Sequence, residues 1–506
     1  KPSSAASDVY KRQGYDMKIK EILAPADYTT KLGERVSYWT YFVGQNIFYN
    51  VVTTFMATYL MMNGIDLGKI AIVTLIVKIW DAVNDPMFGI IFDKIKFKNK
   101  QKCMPWIRIS VGLVPITTVL LFIIPSGMAQ TGKLIWFMIA YLLWDSSYTV
   151  CDVPIYSMVT TMTDNVNERN TLMSIGRLFS SAGMGISGLL CTLLVSEKVG
   201  MSFSPTVILL SVIGLLFMIP LCFAGKERNY HGELEEEAFS IKRMLTYLVH
   251  NKYLLIYYLG YLFANGLMTN NALALFVSYY LFGSANFNII LGILGVVPSV
   301  IAALLIPVIS KKFDKFKLFF ICNTVASVLG LAMYFIGWQN KMLFVVLTVI
   351  RGIFTSVTGT LGFMFTPDCA EYGQYKTGVD AKGITFSIQT FTTKIAAAIA
   401  SSLGLAILTL FDWTKIEAES FADIERLHIV QSATALNGLW VTYILVPSIG
   451  LAITSFIYLF YKLRDKDVQV MARYNAGEIT REESEAQLPK ALKCGITPKL
   501  KETVKK

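Results

Sequence analysis

Histidine is almost missing from this chain. His231, His250 and His428 are the only three among 506 residues, and all fall in loops or at the ends of apolar runs. Imidazoles so few and so far apart leave no histidine-based catalytic or metal centre. Cysteine is no better placed. Residues 103, 151, 191, 222, 322, 369 and 494 are scattered, mostly inside apolar runs and without C-x-x-C spacing, so they read as small core residues rather than disulfides or metal ligands. No nucleophile–base grouping is recognisable either, which argues against an enzyme. Charge is also scarce. Only 16% of residues are charged against 54% apolar, the balance of a membrane protein.

What the chain has is length of apolar run. Twelve runs approach or exceed the roughly 20 residues a spanning helix needs, at about 36–62, 67–93, 105–125, 133–160, 171–195, 203–224, 253–283, 286–309, 316–337, 341–365, 383–411 and 436–462. The expectation is an all-α membrane protein with twelve transmembrane helices in a lipid bilayer. Continuous runs of this kind cannot be strands of an outer-membrane barrel, which alternate every second residue. The net charge of +11 follows from topology, because basic residues crowd the loops after even-numbered runs. Lys94, Lys96, Lys98, Lys100, Lys102 and Arg108 follow the second, Lys226, Arg228, Lys242 and Arg243 the sixth, and Lys311, Lys312, Lys315 and Lys317 the eighth. By the positive-inside bias both termini are cytoplasmic, and no nucleic-acid partner is expected. Residues 1–16 lack both an initial Met and an apolar core; Met17 is the expected natural start.

Trp80-Asp81-Ala82-Val83-Asn84-Asp85-Pro86 lies near the middle of the second run. Asp81 and Asp85 are four apart and share one helix face. Each intramembrane charge costs about 2.5–3.5 kcal/mol on insertion scales, so the pair calls for a polar cavity and a neutralising cation, proton or basic side chain. Pro86 withholds a hydrogen bond from the Ala82 carbonyl, which adds a free oxygen beside the acids. The alternative is a structural ion pair that holds helices together. The fourth run adds Asp145 and Asp152, seven apart, with Tyr148, Thr149 and Tyr156 around them. Four bare acids would cost about 10–14 kcal/mol, comparable to a domain's stability, so they must face a hydrated or cation-holding interior. The first run contains Gly44-Gln45-Asn46, Tyr49 and Asn50, which either bridge helices or touch a solute. Arg177 lies about two turns into the fifth run, and snorkelling is its bland reading. Lys394 lies about eleven residues into the eleventh run, about 16 Å deep, and is a candidate coupling element; Lys78, one turn before Asp81, is a plausible partner for that acid.

Five motifs occur in order between about Arg35 and Lys462: Trp80-Asp81-x-x-Asn84-Asp85-Pro86; Asp152-Val153-Pro154; Asn167-Glu168-Arg169 leading to Arg177; Asp368-x-x-x-Tyr372-Gly373-x-Tyr375-Lys376-Thr377-Gly378; and Gln389-Thr390-x-x-x-Lys394. With them the chain resembles the glycoside-pentoside-hexuronide:cation symporter family, the melibiose permease-like branch of the major facilitator superfamily. Gly89-Ile90-Ile91-Phe92-Asp93-Lys94 is similar to that superfamily's loop motif. The resemblance implies the major facilitator fold of two six-helix halves, at 36–224 and 253–462. Residues 1–35 would then be a cytoplasmic N-terminal segment, 225–252 a central loop and 463–506 a charged cytoplasmic tail. It further implies that Asp81 and Asp85 bind a coupling Na⁺, Li⁺ or H⁺, with Asp152, Thr149 and Lys394 beside them. Sugar contacts are implied for Asn46, Tyr148, Asp152, Tyr156, Arg177, Gln389, Thr390 and Lys394, with Asp145 an addition that retunes the substrate or cation site. Asn46 departs from the family pattern by standing where its galactoside carriers have an Asp. An amide lacks the charge-assisted bond to a hydroxyl, which counts against α-galactoside specificity and not against a sugar as such.

The expected protein is a secondary transporter of the plasma membrane that couples a monovalent cation to uptake of a sugar and needs no further cofactor. Two other readings are a same-fold carrier of a non-sugar or amphiphilic solute and a transporter-like sensor that binds without translocating.

Overall fold

The computed structural model describes residues 28–95, 97, 101–125, 127–228, 241–309, 313–362, 364–378, 382–489 and 492. The expected non-native start at 1–16, the acidic run 232–237, Cys494 and the end of the tail lie outside the described residues, as do the side chains of Pro86 and Asp93. Among the described residues all regular elements are helices, apart from one isolated bridge between Asn63 and Glu417.

The first apolar run forms α1 (Leu32–Asn50), a π turn (Val51–Phe55) and α2 (Met56–Met62). Next come α3 (Leu67–Lys94), α4 (Met104–Leu121), α5 (Gln130–Met162), α6 (Val166–Val195), α7 (Phe203–Ala224) and the short α8 (Ile241–His250). The seventh run is divided into α9 (Lys252–Gly266), a 3-10 turn (Asn271–Leu273), α10 (Ala274–Phe276) and a second π turn (Val277–Leu281). α11 (Phe287–Ile309), α12 (Lys315–Ile336), α13 (Lys341–Gly362), α14 (Phe365–Thr377) and α15 (Lys382–Leu408) follow. After α16 (Phe421–Arg426), the last run comprises α17 (Ala433–Trp440), a π turn (Val441–Leu445) and α18 (Val446–Tyr458). The charged tail forms α19 (Asp465–Asn475) and α20 (Arg481–Gln487). Every expected run is therefore helical. Nine helices among the described residues are long and apolar enough to cross a bilayer. Outside that set, α3 is long enough but carries Lys69, Lys78, Asp81 and Asp85, and the first and seventh runs are divided by their turns.

The helix starts are written locally. Asp66 accepts from Lys69 N at 3.2 Å, Asn251 from Leu254 N at 3.2 Å and Asp314 from Lys317 N at 3.1 Å, so each side chain takes a donor that no helical carbonyl can reach. At α4 the cap comes from far away: Glu227 accepts from the backbone N–H groups of Lys102 (2.8 Å), Cys103 (3.0 Å) and Met104 (2.6 Å). A carboxylate at a helix N-terminus is favourable for the dipole as well.

Side-chain burial brings no hydrophobic gain over lipid, so the helices must hold each other by close contact. Small residues make that possible. A Cβ on Gly183 would strike the Val43 carbonyl oxygen, and one on Gly44 would strike that of Gly214, so α1 lies backbone to backbone against α6 and α7. Larger apolar side chains collect in three clusters. One, holding Trp144, Phe276 and Trp440, joins the first six runs to the last six. The second, around Phe88, Met104 and Met158, and the third, around Tyr257, Phe365 and Tyr461, each stay within one group of six and its flanking segments. The shared cluster lies towards the loops after odd-numbered runs. There Ala418 N donates to the Met62 carbonyl at 2.9 Å, and Glu197 accepts from Ala285 N at 3.1 Å and from the Ser284 hydroxyl. Elsewhere the two groups part around a cavity of about 1090 Å³ between Arg177 of α6 and Gln389 of α15.

Candidate functional site

α3 and α15 pack along each other, and their charged residues meet. The Lys394 ammonium lies 3.0 Å from Asp81 Oδ1, 3.3 Å from the Asp81 carbonyl oxygen, and in contact with Asp85 Oδ2. The four-residue spacing that puts both acids on one face of α3 lets one cation from α15 answer both. Lys78 reaches Asp81 Oδ2 at 3.7 Å from the preceding turn and stands 5.7 Å from the centre of the Tyr141 ring. These groups are 15–36% exposed, so the cluster is enclosed without being sealed.

α5 supplies the third wall. The Thr149 hydroxyl lies 2.9 Å from Asp85 Oδ1 and 3.2 Å from the Asp145 carbonyl, two acceptors competing for one proton. It accepts in turn from Asn84 Nδ2 at 2.8 Å. Asp145 is buried, and its Oδ2 has no hydrogen-bond partner among the described residues. Asp152, two turns on, accepts from Gln45 Nε2 of α1 at 2.7 Å. Four helices therefore converge on four carboxylates, with two lysines, one threonine and two amides among them.

The remaining expected site residues fall into two sets. Tyr148 packs 5.1 Å from Trp144 and 5.5 Å from Tyr49, and Tyr156 packs 5.6 Å from Phe42, so both line the α1–α5 side of the acids. Asn46 is buried there with its amide donating to the Phe42 carbonyl of its own helix at 2.9 Å. Arg177 is exposed, and its guanidinium makes no hydrogen bond or ion pair among the described residues. It faces Gln389 across the cavity, and the Gln389 Oε1 atom has no partner either. Gln389 is five residues before Lys394, about 7.5 Å along the axis of α15, which links cavity to charge cluster. Thr390 is exposed and returns its hydroxyl to the Phe386 carbonyl at 3.3 Å.

Glu168, part of one motif, has a different place. It is fully buried and accepts from Thr29 N and Thr30 N at 3.0 Å each and from Thr163 at 2.6 Å, with Arg35 at 3.6 Å, so it moors the start of α1 to α6. Asp368 pairs with Lys315 at 2.6 Å and belongs to a tail contact rather than to the acid cluster. Two polar groups have roles that the sequence does not assign to them individually, Gln45 standing there only within a cluster that either bridges helices or touches a solute. Gln45 holds Asp152, a neutral amide whose role depends on a partner 107 residues away. Arg351 lies in the middle of α13, and the signal for it was available: a cation ten residues into an apolar run.

Converging helices with four acids gathered beside an open cavity between the two groups of six define a membrane transporter of the major facilitator fold. A nucleoside transporter, NupG, has a solved structure that superimposes with a TM-score of 0.59 over 85% of this chain and 100% of its own, at 13% identity, a likeness of fold alone. Residues 38–465 match the family described as MFS/sugar transport protein, and the chain belongs to that family. Among its relatives, an isoprimeverose transporter of Lactiplantibacillus pentosus is 24% identical over 458 residues, 87% of this chain and 90% of the relative. A lactose permease of Lactobacillus delbrueckii subsp. bulgaricus is 24% identical over 397 residues, 73% of this chain and 62% of that longer protein. These relatives are transporters, not enzymes.

Proposed function

We propose that the protein is a symporter of twelve transmembrane helices, in two halves of six, that couples Na⁺, Li⁺ or H⁺ to sugar uptake across the plasma membrane, with both termini cytoplasmic. The observation that carries the reading is Lys394 of α15 shared between Asp81 and Asp85 of α3. With Lys78 also at Asp81, two ammonium groups stand among four carboxylates, which leaves room for further positive charge. A monovalent cation entering beside Asp81 and Asp85 would find the Thr149 oxygen already at 2.9 Å from one of them. It would compete with Lys394 for the same oxygens. Because α3 and α15 belong to different groups of six, releasing Lys394 weakens a contact between the halves. Sugar would lie among Gln45, Asn46, Tyr148, Asp152, Tyr156, Arg177 and Gln389. By linkage it would raise cation affinity by the factor by which the cation raises its own. Names of relatives that move isoprimeverose and lactose support the sugar. The first and seventh runs are both divided, each with a π turn, which is consistent with a repeat of six, although the twelfth run carries a π turn that the sixth lacks.

The test is uptake by proteoliposomes across a panel of glycosides under an imposed Na⁺ or H⁺ gradient. Asp81→Asn and Asp85→Asn are expected to abolish accumulation while sugar exchange at equal concentrations persists. Full accumulation by both variants, or uptake indifferent to every cation, would remove the coupling mechanism.

A further inference from the structure

Arg351 has no carboxylate partner among the described residues. Its Nε donates to the Ala326 carbonyl at 3.1 Å and its Nη2 to Ser448 Oγ at 3.2 Å, both neutral acceptors. Lys78 and Lys394 lie at similar remove from water and are each answered by an acid, so this arginine is the exception. Room for it is built in. A Cβ on Gly330 would fall 2.8 Å from the Arg351 Cζ and 2.9 Å from Nη2, so a larger residue there would displace the guanidinium.

The guanidinium lines a cavity of about 340 Å³ enclosed by α9, α12, α13 and α18, separate from the acid cluster. Thr348 and Asn270 line it too, and the Thr348 hydroxyl and the Asn270 Oδ1 atom are buried without hydrogen-bond partners. Buried polar atoms are nearly always satisfied, so two unsatisfied ones lining one cavity beside a guanidinium mark a place for something polar. The cavity holds about eleven times the roughly 30 Å³ of a water molecule, which is monosaccharide size. Tyr261 and Asn265 add an aromatic face and an amide.

We propose that this cavity is a second binding site, in the C-terminal six helices, for a polyhydroxylated carboxylate of monosaccharide size. Its oxyanion meets Arg351, and its hydroxyls meet Thr348 and Asn270. An anion is the ligand class that repairs an uncompensated guanidinium, and hydroxyls are the class that satisfies both a lone carbonyl oxygen and a lone hydroxyl. The proposal rests on the symport reading only for the choice of a sugar acid. Binding at this site requires no translocation.

The experiment is calorimetric titration of the full chain in phosphatidylcholine nanodiscs with D-glucuronate and with its neutral counterpart D-glucose. Glucuronate is expected to bind at least tenfold more tightly than glucose, and Arg351→Gln to reduce that preference below twofold. Thr348→Val, which keeps the cation, is expected to weaken both ligands several-fold and leave the preference in place. Equal affinity for the two sugars in the wild type, or a preference that survives Arg351→Gln, overturns the site. A lipid phosphate offers the same oxyanion, so the titration is repeated with increasing phosphatidylglycerol. Loss of glucuronate binding as that lipid increases would assign the cavity to a headgroup and overturn the sugar acid. Glucuronate binding that persists when gradient-driven uptake fails would sink the symport reading and leave this one standing.

Discussion

Two carboxylates one turn apart repel each other, and here the repulsion is relieved by a side chain from a different helix. Removing Lys394 leaves Asp81 with Lys78 at 3.7 Å and Asp85 with only the Thr149 hydroxyl. Breaking a fully buried pair costs about 3–5 kcal/mol; with these groups 19–36% exposed, about 1–2 kcal/mol is expected after solvent screening. Lys394→Gln should therefore lower the melting temperature in detergent by a few degrees, and Na⁺ or acid should restore it more than they raise that of the wild type. Equal stabilisation of both proteins by every cation would deny the acids a cation-binding role. Gln45→Leu tests the other end of the cluster, where the half-buried Asp152 carboxylate would lose its donor. A cost of about 1–3 kcal/mol is expected, read as a lower melting temperature with weaker sugar binding, whereas an unchanged melting temperature would make the 2.7 Å contact incidental. The contrast between these two residues also explains what was legible in the sequence. Asp81, Asp85 and Lys394 stand out because a charge in an apolar run is expensive wherever it points. Gln45 does not, because a neutral amide costs little until its partner is known. Asn46, singled out because it stands where the family's galactoside carriers have an Asp, spends its amide donor on its own helix.

A helix packed against helices in lipid is placed by the residues that let backbones touch, and α6 separates these from their neighbours within one turn. Gly183 faces the Val43 carbonyl of α1, while a Cβ on Gly185 would meet nothing within 4 Å. Gly183→Val should cost about 3 kcal/mol, the upper end of overpacking penalties, because a backbone carbonyl cannot yield as a side chain can. Gly185→Val should be close to neutral in the same melting assay, and equal effects would refute the packing argument. At α4 the distant cap offers a second test. Glu227→Ala strips three N–H groups of their acceptor, a loss of about 1–2 kcal/mol by analogy with N-caps. Burial, with the Glu227 carboxylate beside it, holds the Cys103 thiol at a pKa of about 12. It should resist maleimide near pH 7.5 in the wild type and react measurably faster in Glu227→Ala, through both easier opening and loss of the adjacent negative charge. The elements themselves were readable because lipid demands about 20 apolar residues per crossing. The π turns at Val51–Phe55, Val277–Leu281 and Val441–Leu445 were not, since their apolar sequences look like their surroundings.

At the scale of the whole molecule the unequal division of the apolar core decides which way the cavity opens. A core shared by both groups of six cannot part without exposing Phe276 and Trp440, whereas the separate cores around Phe88 and Phe365 can move apart intact. In the symport reading the shared end is the outer one, and the protein stands open towards the cytoplasm. Alternating access then requires the shared core to break in every cycle, so what fastens it must be weak enough to release. Glu197, accepting from Ser284 and Ala285, is such a fastening, and a charge-assisted contact of this kind contributes about 1.5–3 kcal/mol. Glu197→Ala should therefore raise the population open at this end by about tenfold or more, since 1.4 kcal/mol is one decade. Spin labels on Val199→Cys and Ile290→Cys, both half-exposed positions, report that separation by double electron–electron resonance. Native cysteines interfere little, because five of the six described are buried and Cys222 is partly so. The expected result is a longer-distance component that grows in Glu197→Ala and grows further when Asp81→Asn weakens the hold of Lys394. If the distance distribution stays unchanged in both, the shared core alone sets the closure, and neither contact takes part in the switch.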